Sequence, residues 1–77
     1  MLDGAWEFIS YEAKISESEE KLLANCEKVM TLTNDAFRME FMRFESKELP
    51  LLAIVHYEVA SGKLCFVQWF GKTGIEE

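Results

Sequence analysis

Seventy-seven residues, 49% hydrophobic and 29% charged, make one small globular domain with no room for a second. Fourteen acidic against eight basic side chains give a net charge of -6, which repels a phosphate backbone and argues against direct nucleic-acid binding. The longest apolar runs fall far short of the roughly 20 residues that cross a bilayer, and no basic segment leads into an apolar one at the N-terminus, so a cytoplasmic protein is expected.

Residues 5–15 read as a strand. Ile9, Tyr11, Ala13 and Ile15 fall on one side of a period of two and Glu12 and Lys14 on the other, while Trp6 and Phe8 make its start apolar on both sides. Ser16 then opens Ser-Glu-Ser-Glu, a capping box in which the Ser16 hydroxyl accepts from the Glu19 amide and the Glu19 carboxylate accepts from the Ser16 N–H. Glu17, Glu19 and Glu20 also complement the positive end of a helix dipole. Leu22, Leu23, Cys26, Val29, Met30 and Thr33 recur at helical spacing, which predicts a helix over 17–32 stopped by Asn34 and Asp35.

From Ala36 the period returns to two, with Phe37, Met39 and Phe41 opposite Arg38 and Glu40. Met42 and Phe44 then make the second face apolar, which predicts either a β-bulge near 41–43 or a strand apolar on both faces at its end. Residues 46–49 read as a turn, and Pro50, with no N–H to give to a ladder, opens the next strand, 51–59. Ala60-Ser61-Gly62-Lys63 supplies a turn with a glycine for positive φ, and 64–70 forms the last strand before a fraying tail, 71–77. The predicted architecture is α+β, in the order β-α-β-β-β, with one amphipathic helix packed on one face of a four-stranded mixed or antiparallel sheet. The first strand has a place at either edge of the meander or across a dimer.

The last two strands are apolar on both faces: Leu51, Ala53, Val55, Tyr57 and Val59 alternate with Leu52 and Ile54, and Leu64, Phe66 and Phe70 alternate with Cys65, Val67 and Trp69. One helix covers one face of a sheet, and an uncovered face of such residues exceeds the patches that monomers expose. A second copy or another protein is therefore expected over Leu52, Ile54, Leu64, Phe66 and Phe70, unless the sheet curls on itself. A chain this short buries only about 60 to 65% of its unfolded surface, which leaves a lone monomer marginal.

Catalytic parts are sparse. His56, the single histidine, lies two residues from Glu58, with Arg38 and Glu40 placed to share that side of a neighbouring strand. The set resembles half of a general-base pair, and equally a polar strip at the open end of a sheet, and no nucleophile is placed beside it. Gly71-Lys72-Thr73 has the ending of a phosphate-binding loop, but Phe66 stands where that loop needs its first glycine. Cys26 and Cys65 are too few and too far apart for a zinc framework and read as buried free thiols, and the three glutamates near 17–20 are spaced to cap a helix, not to converge on an ion. No catalytic residue, cofactor or metal is assigned.

Residues 1–35 hold eight acidic and three basic side chains, so most of the charge sits in the N-terminal half. The expected function is a small acidic protein–protein interaction module, an inhibitor or adaptor whose Glu12, Glu17, Glu19, Glu20 and Glu27 face a basic, nucleic-acid-binding groove of another protein while the apolar sheet face forms a homodimer. The alternatives are a small-molecule module with an apolar pocket between helix and sheet, lined by Trp6, Phe37, Tyr57 or Trp69, and an enzyme with His56 and Glu58 at a dimer interface.

Overall fold

The computed structural model describes residues 5–46 and 50–73. The elements run β1 (Ala5–Glu12), α1 (Glu17–Ala24), β2 (Glu27–Thr33), β3 (Phe37–Phe44), β4 (Leu51–Glu58) and β5 (Leu64–Thr73). They form an α+β fold with one helix and, among the described residues, one fully antiparallel five-stranded sheet in the order β1-β5-β4-β3-β2. The expected four strands are corrected to five. β1 takes the edge beside β5, and the chain crosses the sheet through α1 to start β2 at the opposite edge.

The correction comes from the expected helix over 17–32, which ends after eight residues. Its start follows the capping box, with Ser16 Oγ accepting from the Glu19 amide at 3.3 Å and Glu19 Oε1 accepting from the Ser16 amide at 2.9 Å. Asn25 closes the other end: its amide donates to Leu22 O at 3.1 Å and its Nδ2 to Lys21 O at 3.0 Å. Beyond it, Val29, Thr31 and Thr33 are β-branched at alternate positions, a pattern that fits a pleated strand better than a helix. Asn34 and Asp35 turn a hairpin instead of stopping a helix, with Asn34 Oδ1 accepting from the amides of Ala36 at 2.8 Å and Phe37 at 2.7 Å.

Other boundaries shift less. The tail expected from Gly71 is strand as far as Thr73, with Lys72 opposite Trp6 and Thr73 opposite Ala5; residues 74–77, and 47–49 of the expected turn, lie outside the described residues. Gly62 turns the β4–β5 hairpin at φ +70. β3 pairs with β4 without a break from Phe37–Glu58 to Phe44–Leu51, so its end is apolar on both faces and the extra residue lies on its other neighbour, at Val29 of β2. Ile9 and Cys65 are the extra residues at two more register shifts.

The core lies on the helix side. Leu51, Ala53, Val55, Val67 and Trp69 are buried there beneath Ile15, Leu22 and Leu23, with Met42, Phe44, Tyr57 and Leu64 around them. An eight-residue helix is about 12 Å long, whereas four strand spacings separate β1 from β2 by about 19 Å. Consequently β2 is exposed along its length, and the Arg38–Glu40 end of β3 on this side is polar: Glu40 meets Arg38 at 3.1 Å and Lys28 at 3.8 Å, and the Arg38 guanidinium lies 4.5 Å over the Tyr57 ring. Cys26 and Cys65 are unpaired and half-buried, not buried; burial pushes the Cys26 thiol above its ordinary pKa.

Candidate functional site

Alternation along each strand sends every second side chain to the side without the helix, and the register lines them up in cross-strand rows. One row runs Phe8, Phe70, Leu52, Arg43, Glu27; the next Tyr11, Gln68, Ile54, Phe41, Met30; the third Phe66, His56, Met39, Leu32. Trp6 with Lys72 closes one end of the face, and Phe37 with Glu58 the other. The extra residues in β1 and β2 matter here: the shift at Ile9 brings Tyr11 to the side of Trp6 and Phe8, and the shift at Val29 keeps Met30 and Leu32 on the side of Glu27.

The face is an apolar surface with aromatic pairs already in contact. Phe8 meets Phe70 edge to face at 5.7 Å, and Phe66 is stacked between Tyr11 at 5.1 Å and His56 at 4.0 Å. Nε2 of His56 and Oε1 of Gln68 are 3.0 Å apart, so two half-buried polar side chains satisfy each other in its middle. Leu52 is buried, yet Phe8, Tyr11, Met30, Leu32 and Phe37 remain between 44% and 55% exposed. At the β2–β3 hairpin end the face hollows into a cavity of 430 Å³ bounded by Leu32, Phe37, Met39, His56 and Phe66, with Thr33 and Asn34 at its rim. The groove between α1 and the sheet, bounded by Leu22, Leu51 and Trp69 among others, measures 190 Å³. The larger hollow thus lies on the side opposite the one expected, and of the four lining residues expected it includes Phe37.

Four of the five apolar residues singled out from sequence, Leu52, Ile54, Phe66 and Phe70, share this face. Leu64 does not: the shift at Cys65 pairs it with Tyr57 and turns it into the helix-side core. The acidic residues do not form one patch. Glu17, Glu19 and Glu20 share the first turn of α1, and Glu12 lies on the helix side next to Val67. Glu27 is on the other side, its Oε1 3.9 Å from Arg43 Nη2. His56 and Glu58 are not paired; Glu58 accepts from Ser61 Oγ at 2.6 Å, and Arg38 and Glu40, expected beside them, project to the helix side. Among the described residues no three His, Cys, Asp or Glu side chains gather into a metal site, and no helix is long and apolar enough to cross a membrane.

Comparison with protein-family models, curated proteins and solved structures finds no match to this chain.

Proposed function

We propose that this chain works by protein–protein contact and that the face without the helix is covered by a second copy of itself. The observation that carries the reading is the contiguous apolar surface formed by the three cross-strand rows. Five strands at about 4.8 Å and eight residues at about 3.3 Å give a face of roughly 600 Å², at the top of what monomers leave exposed. Two such faces bury on the order of 1,200 Å², the lower end of stable interfaces. Charge does not oppose the pairing. Among the described residues the formal charges on this face are Glu27, Arg43, Glu58 and Lys72, two of each sign, against a net -6 for the chain.

The basic-groove reading has less support, because Glu27 is separated from the helical glutamates and Glu19 is engaged in the cap. Glu12, Glu17 and Glu20 are what it leaves for a basic partner. Molar mass by light scattering, from low to high micromolar concentration and at two salt concentrations, tests the self-pairing. A mass near twice 8.9 kDa, insensitive to salt and halved by Ile54→Glu, is expected. A monomer at every concentration overturns it.

A further inference from the structure

The cavity of 430 Å³ begins where a stack of rings stops. Tyr11, Phe66 and His56 are ranked across β1, β5 and β4 with neighbouring planes 16° and 21° apart. The row then continues through Met39 and Leu32, which have no ring, and the hollow lies over them with Phe37 at its edge. We infer that this cavity binds a planar, uncharged aromatic or heteroaromatic molecule of one or two rings, lying against His56 as the next member of the stack, over Met39 and Leu32, with an edge reaching Phe66.

Size, charge and polarity support that ligand class. The volume falls at the lower end of small-molecule pockets, which run from roughly 300 to 1,000 Å³. Among the described residues no Asp, Glu, Lys or Arg bounds the hollow, so an ionised ligand would shed water and meet no opposite charge from them. Two polar groups give direction. Asn34 is held by the two backbone amides that its Oδ1 accepts from, which leaves Nδ2 as its donor. His56 Nε2 lies 3.0 Å from Gln68 Oε1, an oxygen that only accepts, so in the tautomer with the proton on Nε2 the other ring nitrogen, Nδ1, is free to accept. A ring with an acceptor and a donor on its edge therefore fits better than a plain hydrocarbon.

The cavity lies at one end of the face proposed to pair with itself, so the inference requires that a second copy leave it open, and titration of the full chain with the neutral, planar, two-ring fluorescent probe 6-propionyl-2-(dimethylamino)naphthalene separates the two. Saturable enhancement at one probe per chain is expected. Met39→Trp, which fills the hollow, should weaken binding about tenfold or more, and Phe8→Ser, on the same face but remote from the hollow, should change it by less than about twofold. Circular dichroism checks that both variants keep the fold. Absence of saturable binding, or indifference to Met39→Trp, overturns the inference, as does an equal loss in Phe8→Ser, which marks adsorption to the whole face. Binding that emerges only when Ile54→Glu has halved the mass also overturns it, because the second copy then fills the cavity.

Discussion

The two faces of this sheet are built from the same five strands and differ in the opposite sense to their burial. The helix side owes its core to modest residues, Leu51, Ala53, Val55 and Val67, with Trp69 as the one large ring fully buried there. The other side carries seven of the ten aromatic residues, Trp6, Phe8, Tyr11, Phe37, Phe41, Phe66 and Phe70, yet among the described residues Leu52 is the one on it buried to the same degree. Hydrophobicity therefore does not decide which face becomes core; the presence of a covering layer does. An eight-residue helix makes one side the foundation of the fold and leaves the richer side available for contact.

The sharpest way to break that contrast is to hollow out each side in turn. Trp69→Ala removes a ring that is 5% exposed, and should cost about 3–5 kcal/mol, a large fraction of what a domain of this size possesses. Urea titration should show that loss at low and high protein concentration alike. Trp69→Phe should cost less, because the indole N–H it removes is buried with no acceptor among the described residues. Ile54→Glu, in the middle row of the other face, should act through association: the mass halves and the melting temperature stops depending on concentration. If Ile54→Glu instead unfolds a chain that is monomeric when wild type, the distinction between foundation and contact face is lost. Ser16→Ala removes the hydroxyl that caps α1 and should cost about 1 kcal/mol by the same titration, since the cover of the helix side depends on this short helix.

Much of this was legible in the sequence, and the rest was hidden for identifiable reasons. The capping box at Ser16 and Glu19, the turn at Gly62 and the apolar character of 51–59 and 64–70 on both faces depend on neighbours in the chain, and local rules reach them. Residues 26–33 misled because Cys26, Val29, Met30 and Thr33 satisfy a helical spacing while Val29, Thr31 and Thr33 satisfy a strand, and pairing with β3 decides the outcome. The extra residues at Ile9, Val29 and Cys65 were invisible for the same reason: a bulge is defined by the opposite strand. Each moves side chains across the sheet, so local periodicity does not place Tyr11 and Met30 on the face without the helix, and it puts Leu64 on the wrong side. Gln68 had a local signal, as the one polar side chain within 64–70, facing His56 across a hairpin whose turn was correctly placed.

The smallest expected effect tests the part of the helix side that the helix does not reach. Tyr57 sits there beneath Arg38, and its phenol is pushed above the ordinary 10.0, first by burial and then by the negative charge of Glu40, against the opposing pull of Arg38. A phenol whose pKa is higher folded than unfolded holds its proton longer in the native state. Its contribution to stability is therefore complete below the ordinary tyrosine pKa and is lost as pH rises through the folded value. In a Tyr11→Phe background, where Tyr57 is the remaining tyrosine, tyrosinate absorbance should rise at higher pH in the folded protein than in urea. Adding Arg38→Met removes the cation that favours the ionised phenol and should move that rise further upward, while weakening the fold by no more than about 1 kcal/mol, as befits a partly exposed ion pair. A folded-state titration coincident with the unfolded one would mean that this corner is as open to water as a free edge, and that the cover of the helix side stops short of Tyr57 on β4.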